Sequence, residues 1–207
     1  MTHPTDSRVA RRAGIAAVAA AAPAGASLAM LAPSAALSLE AQGVSDALIG
    51  LNAAMTPLAV VLCAPLAPRL VDRFGLPAVT LVGYLIASLC AAAMAHWAGL
   101  IEWFVLRFLL GAAMTAPWVA SETLVNAAAT DKTRGRWVAA YATCFAGGFA
   151  LGPLVVRLIG VDGPGPYLAT GAALALAALI LGPMVRGADG LMEERSSGVA
   201  AAIAAAT

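Results

Sequence analysis

Charged side chains are scarce in this sequence of 207 residues: they make up 11% of the chain, whereas hydrophobic residues make up 61%. Aromatic residues are also few, at 6%. A soluble domain of this length cannot bury so many apolar side chains in a single core. The mean hydropathy of +0.87 therefore argues against an ordinary soluble protein and indicates a membrane protein.

Residues that ligate metals or act as catalysts are also rare. The cysteines, Cys63, Cys90 and Cys144, each lie alone in an apolar stretch, so we interpret them as small packing residues. Histidine occurs only at His3 and His96, and no glycine-rich phosphate loop ends in lysine. We therefore predict no catalytic residue, no metal, no cofactor, no nucleic-acid partner and no ATP-driven transport by this chain.

Long apolar stretches alternate with short charged segments along the whole chain. Each stretch is close to the roughly 20 residues that a helix needs to cross the hydrocarbon layer. The fold class that this pattern predicts is an all-α integral membrane protein with six transmembrane helices. The predicted spans are about 13–38, 47–67, 78–96, 102–124, 137–158 and 166–185.

Basic residues are concentrated before the first span and after the second, fourth and sixth spans. These four segments hold ten of the 12 basic residues, so the positive-inside rule predicts that both termini are cytoplasmic, in the cell (inner) membrane. The first stretch also resembles a secretory signal, but removing it would break this alternation. We expect a cytoplasmic N-terminus at 1–12, a transmembrane domain at 13–185 and a linker toward a second half at 186–207.

Two charged residues lie inside the fourth predicted span, where an unpaired charge costs about 2.5 to 3.5 kcal/mol. Arg107 is about 8 Å from the outer end of the span. It either snorkels outward or lines an aqueous cavity, where it would attract an anionic group. Glu122 lies near the inner end, with Asn126 one turn later. Its carboxylate is either solvated or paired with Arg69 or Arg73.

A short internal sequence repeat relates the two halves of the chain. The sequence PLAPRL at 65–70 ends the second span, and PLVVRL at 153–158 ends the fifth. In a three-plus-three inverted repeat, the second and fifth spans are equivalent. Glycines and prolines inside the spans are interpreted as helix-packing residues.

Three motifs resemble those of the major facilitator superfamily. PRLVDRFGLP is similar to the signature loop between the second and third helices, through Asp72, Arg73 and Gly75. RFLLGAAMTAPWVASETLVN is similar to the fourth-helix motif, through Arg107 and Gly111.

The third motif, GGFALGPLV, resembles a glycine-rich stretch of the fifth helix that is prominent in exporters of the family. Its matching residues are Gly148, Gly152 and Pro153, but Val156 and Arg157 replace the glycine pair that normally closes it. This departure weighs against a specific assignment to proton-coupled drug export.

The resemblance implies one half of a secondary active transporter, for efflux or uptake of a small solute by alternating access. Proton coupling is one option, and the second half belongs to the same chain or to another subunit. By the resemblance, Arg107 is a candidate for substrate binding or coupling. From their positions in the same span, Trp118 and Asn126 are further candidates, with core packing as the alternative for Trp118. The implied conformational latch comprises Arg69, Asp72, Arg73, Gly75 and Glu122, and the implied helix-packing residues are Gly111, Gly148, Gly152 and Pro153.

Two alternatives remain open at this stage. The chain is a complete six-span protein that pairs with a copy of itself as a homodimeric half-transporter, or it is an intramembrane enzyme. The hydroxyl groups of Ser88, Thr115, Ser121 and Thr143 are conceivable nucleophiles, but no histidine is predicted at membrane depth to activate one.

Overall fold

Helices form nearly all of the described chain, which covers residues 4–96 and 99–184 in a computed structural model. No strand occurs within these two ranges. The predicted linker at 186–207 lies outside them. In chain order, the helices are α1 (Pro4–Ala41), α2 (Asp46–Cys63), α3 (Ala67–Phe74), α4 (Leu76–Met94), α5 (Leu100–Ala128), α6 (Arg134–Ile159) and α7 (Gly165–Met184).

Six helical segments are long and apolar enough to cross a membrane, which confirms the six spans predicted from the sequence. The second segment joins α2 to α3 through a short 3-10 turn, Ala64–Leu66. The first begins earlier than predicted, because α1 starts at Pro4 and so includes the basic residues Arg8, Arg11 and Arg12.

The segment PRLVDRFG is helical, which corrects its interpretation as a loop. Pro65 and Pro68 occupy the first turns of the 3-10 turn and of α3, where a missing N–H leaves no helical hydrogen bond unmade. Ala67 and Val71 are buried, whereas the three charged residues of α3 are exposed. The short helix is thus amphipathic and lies with one face against the bundle.

The helix packing has the symmetry of an inverted repeat. The main contacts of α1 are with α6, α7 and α5, and those of α5 are with α4, α2 and α1. Exchanging the first three spans for the last three exchanges α1 with α5, α2 with α6 and α4 with α7. This exchange converts the α1–α6 contact into α5–α2 and the α1–α7 contact into α5–α4, so the packing confirms the predicted three-plus-three arrangement.

The two ends of the bundle are defined by contacts between the helix termini. Gly14, near the start of α1, lies against Trp137 at the start of α6. Asn52 of α2 contacts Arg107 of α5, so these two helices run in the same direction. We call the end that carries α3 and the α5–α6 turn the α3 end, and the other the opposite end.

Burial differs sharply between the spans. In the most apolar window of each helix, 50% of α1 and 56% of α5 is buried, against 11% of the α2–α3 segment and 17% of α6. The central helices α1 and α5 therefore carry the core, and α2 and α6 leave broad faces uncovered in the described chain.

Candidate functional site

Arg107 is buried inside the bundle, with only 4% of its surface exposed. It lies about 10 Å along α5 from the start of that helix. Its guanidinium Nη1 donates a hydrogen bond to Oδ1 of Asn52, which is itself fully buried, over 3.1 Å. The side chain therefore turns inward toward α2 and does not extend to the opposite end of the bundle.

Several donors around this guanidinium have no hydrogen-bond partner. Arg107 Nε and Asn52 Nδ2 are both buried and unpaired within the described part of the chain, as is the hydroxyl of Ser34. A buried polar group without a partner costs about 1 to 3 kcal/mol, and more when it is charged. The first two atoms belong to side chains already in contact, so they form one donor-rich site suited to a carboxylate, another anion or ordered water.

Tyr167 links this site to α1 and α7. Its hydroxyl lies 2.8 Å from Ser38 Oγ and donates to the carbonyl oxygen of Ser34 over 3.1 Å. It is close enough to Arg107 for an electrostatic interaction, and its ring packs against Trp103 at 5.3 Å. We call Asn52, Thr56, Arg107 and Tyr167 the Arg107 cluster; it joins helices α1, α2, α5 and α7.

Gly111 lets α2 approach α5 closely enough to build this cluster. A side-chain Cβ at Gly111 would lie only 2.9 Å from Thr56 Cα and 3.0 Å from its carbonyl carbon. Thr56 also donates from its hydroxyl to the Arg107 carbonyl oxygen over 3.2 Å. Asn52 is one turn before Thr56, so this close approach sets the position of the amide that meets the guanidinium.

Glu122 belongs to a second group of residues, nearer the α3 end and about 22 Å from Arg107 along α5. Its carboxylate accepts a hydrogen bond from Trp118 Nε1 over 2.9 Å, and it interacts electrostatically with Tyr141 of α6. The Trp118 ring packs against Phe145 at 5.8 Å. We call Trp118, Glu122, Tyr141 and Phe145 the Glu122 cluster.

Asn126 lies next to this cluster without joining it. Its side-chain Nδ2 donates to the backbone carbonyl of Glu122, one turn earlier on the same helix, over 2.9 Å. Its amide is therefore engaged with the backbone of its own helix in this conformation.

The charged residues of α3 stand apart from Glu122. Arg73 lies over the ring of Phe74 at 5.3 Å, and no ion pair joins Glu122 to Arg69 or Arg73 in the described chain. The groove beside α3 is lined by Ala112, Ala113 and Ala116 of α5, about 120° around the helix from Glu122. The expected ion pair is thus absent here and stays a prediction for another conformation.

Gly75 ends α3 with a backbone conformation that favours glycine. Its φ is +79° and its ψ is 151°, a region where a side chain is strained. Its N–H donates to the Val71 carbonyl over 2.8 Å and so closes the last turn of α3. This explains why a glycine separates α3 from α4 and fixes the direction in which the next span begins.

The glycines of the fifth-span motif bring α6 onto α1. A Cβ at Gly148 would lie 2.6 Å from the Ala22 carbonyl carbon, and one at Gly152 would lie 2.6 Å from the Ala29 Cβ. Pro153, by contrast, is exposed. The two glycines therefore bring the backbones of α6 and α1 close together, whereas the packing role of Pro153 stays a prediction.

A cavity of about 40 Å³ lies between the two clusters and has room for a water molecule or two. Tyrosine and threonine side chains line it from several helices. Apart from apolar residues, the lining consists of Ser27, Thr56, Tyr84, Trp118, Tyr141 and Thr170. The described residues contain no group of three His, Cys, Asp or Glu side chains able to hold a metal ion.

Sequence reasoning missed most of the partners of the two charged residues. Asn52 gave a usable signal, because an amide inside an apolar span needs a hydrogen-bond partner. The spacing of Tyr141, Phe145 and Phe149 by four residues also places three aromatic rings on one face of α6. Tyr167 gave no signal, since it lies at the start of a span, where an aromatic residue is ordinary.

Comparison with known proteins places the chain among transporters. A family model described as Major Facilitator Superfamily matches residues 17–203. An uncharacterized MFS-type transporter of Bacillus subtilis, YfkF, is 27% identical over 142 residues, which cover 69% of this chain and 36% of the relative. An uncharacterized MFS-type transporter of Enterobacter, Ent638_1421, is 32% identical over 98 residues, which cover 45% and 25%. The matched segments thus cover well under half the length of these curated relatives.

Proposed function

We propose that this chain, which belongs to the Major Facilitator Superfamily, supplies six helices of a secondary active transporter that moves a small solute by alternating access. The family match and the six membrane-length helices together establish that it is an integral membrane protein of a transporter family. The family also favours transport over the intramembrane enzyme considered from the sequence. Efflux and uptake both remain compatible with this proposal.

The observation that carries the proposal is the Arg107 cluster. A guanidinium inside a membrane span is costly, and intramembrane charges generally mark substrate or ion pathways. Here it is buried beside Asn52 with two donor atoms left open. We propose that these donors bind an anionic group of the solute. Alternatively, they bind a water molecule that connects Arg107 by hydrogen bonds to a group that takes up and releases a proton.

A second six-helix half completes the transporter in this proposal. The uncovered faces of α2 and α6 are the surfaces available for it. The relatives are considerably longer than the part matched here, which supports a second half in the same polypeptide. A separate subunit, including a second copy of this chain, is the alternative.

Alternating access requires contacts that form in one state and break in another. We propose that Arg69, Asp72, Arg73 and Gly75 at the α3 end provide such a latch, with Glu122 joining it in a conformation other than the one described. The alternation of basic segments supports placing the α3 end and both termini in the cytoplasm, in the inner membrane. Replacing Asp72 with Asn is expected to slow transport by the complete protein without reducing membrane insertion.

The proposed function is tested by reconstituting the full-length protein into liposomes and measuring uptake of radiolabelled amino acids, sugars, carboxylates and organic cations. At least one class is expected to enter at a saturable rate, and Arg107→Ala is expected to lower that rate about tenfold or more through loss of transition-state or substrate stabilisation. Arg157→Ala is the matched control, because Arg157 is exposed on α6. Saturable uptake that is unchanged in Arg107→Ala contradicts a role of the Arg107 cluster in transport. If none of the tested solute classes enters the liposomes, the transport proposal is contradicted.

A further inference from the structure

Glu122 is a carboxylate inside a membrane-length helix without a positive partner. It lies six residues before the end of α5, Ala128, which is about 9 Å along the helix. Its carboxylate accepts one hydrogen bond, from the Trp118 indole, and no basic side chain forms an ion pair with it in the described residues. An indole N–H does not neutralise a carboxylate, so a cation is the ligand that complements this side chain.

Aromatic rings surround this carboxylate, although the chain is only 6% aromatic. Phe145 lies between Trp118 and Phe149, with ring separations of 5.8 Å and 6.5 Å. Tyr141, one turn before Phe145, interacts electrostatically with Glu122. The faces of aromatic rings attract organic cations, most strongly where water is excluded.

The packing of α1 against α6 fixes the position of these rings. A Cβ at Gly25 would lie 3.1 Å from the Phe145 carbonyl carbon, so only glycine lets α6 come this close. Glu122 and Phe149 are exposed in the described chain, so the aromatic face lies at a surface of the bundle, where a ligand would sit between this chain and the proposed second half. Leu28 and Met114 line the adjoining cavity and extend the apolar surface inward.

The chemistry of the site favours an organic cation over a metal ion. Calcium and magnesium need several oxygen ligands, and the described residues contain no group of three His, Cys, Asp or Glu side chains that could supply them. We propose that the Glu122 cluster is a binding subsite for a lipophilic organic cation, with the carboxylate holding the charge and the rings of Trp118 and Phe145 packing against the apolar body. This assignment rests on the proposed transport function and names one class of solute for it. It selects the form of that proposal in which the Arg107 donors bind a water and not an anionic group of the solute.

The test uses two ions of nearly equal size and shape but opposite charge. Equilibrium binding of radiolabelled tetraphenylphosphonium to the full-length protein is expected to be saturable, and tetraphenylborate is expected not to compete. Glu122→Gln is expected to weaken tetraphenylphosphonium binding about tenfold, the effect of losing one close charge interaction. Glu102→Gln is the matched control, because Glu102 is an exposed carboxylate near the other end of α5.

Phe145→Leu gives an independent check that does not alter the charge. It is expected to weaken tetraphenylphosphonium binding about threefold to tenfold through loss of the cation–π contact. Equal binding of the two ions, or identical affinity in wild type and Glu122→Gln, overturns the subsite. If the protein transports carboxylates or sugars but does not bind tetraphenylphosphonium, the subsite is overturned while the proposed transport function stands.

Discussion

The α1–α6 and α5–α2 contacts are equivalent in the inverted repeat, yet they differ in chemistry. At the first, Gly148 and Gly152 meet the alanines of α1, and no buried charged side chain lies beside them in the described chain. At the second, Gly111 meets Thr56 in the same manner, but the buried Arg107 and Asn52 side chains lie one turn away. The close approach is shared, whereas the polar pair is present at only one of the two contacts.

This difference distinguishes residues needed for helix packing from residues that we propose act in transport. Small residues at both contacts serve the packing that any membrane bundle needs. A buried guanidinium lowers stability, so its presence at one contact alone calls for a role beyond packing. The departure from symmetry therefore supports our proposal that the solute or the coupling ion acts at the α5–α2 contact.

The largest effect on stability is expected from Asn52→Leu, which removes the polar side chain of α2 from the α5–α2 contact and leaves Arg107 of α5 in place. The variant leaves the Arg107 guanidinium without its acceptor and is expected to lose about 3 kcal/mol of stability. The midpoint of thermal unfolding in detergent measures this loss. Asn126→Leu is the control, since Asn126 bonds only to its own helix, and equal midpoints for the two variants contradict the assignment.

Overpacking the α1–α6 contact is expected to have the next largest effect. Gly148→Leu places a side chain against the Ala22 backbone and is expected to cost about 2 kcal/mol. Gly147→Leu is a matched neighbour, because a Cβ at Gly147 meets no atom within 4 Å. Comparison of their unfolding midpoints tests whether close approach explains the glycine; an unchanged midpoint for Gly148→Leu refutes it.

A smaller effect is expected at the end of α3. Gly75→Ala forces a side chain into a backbone conformation with φ of +79° and is expected to cost about 1 to 2 kcal/mol. In the interior of α2, Gly50→Ala meets no neighbouring atom and is expected to be neutral or slightly stabilising. Thermal unfolding of both variants checks this, and stabilisation by Gly75→Ala is the contrary result.

The smallest effect on stability is expected from replacing the two partly exposed cysteines. Cys63 and Cys144 are partly exposed and free, so replacing both with Ser is expected to change stability by less than about 0.5 kcal/mol. Cys90 is buried, so Cys90→Ser is expected to be more costly. A loss of transport in the Cys63 and Cys144 double variant argues against purely packing roles.

The six spans were predictable because a long apolar helix is a strong local signal. The helix α3 was missed because its charges and its prolines, Pro65 and Pro68, suggested a loop, although both prolines fit the first turn of a helix. Gly75 was assigned to the signature loop, and the sequence reveals neither its place between α3 and α4 nor its positive φ.

The candidate site was only partly predictable. Burial of Arg107 was one of two interpretations, and its contact with Asn52 depends on which helices pack together across 55 residues of sequence. For Glu122, the depth along the span was predictable from the sequence. The direction of its side chain was not, because the face of α5 that meets α6 is set by tertiary packing. Side-chain partners in a bundle are non-local, whereas helix formation in a membrane is local.

The most direct test of the central claim is solute uptake by the Asn52→Leu/Arg107→Leu double variant of the full-length protein in liposomes. Replacing both buried polar partners removes the unpaired group, so the unfolding midpoint is expected to return to about that of wild type. Our account predicts that this stable protein no longer transports the solute. Transport at the wild-type rate by the double variant contradicts it.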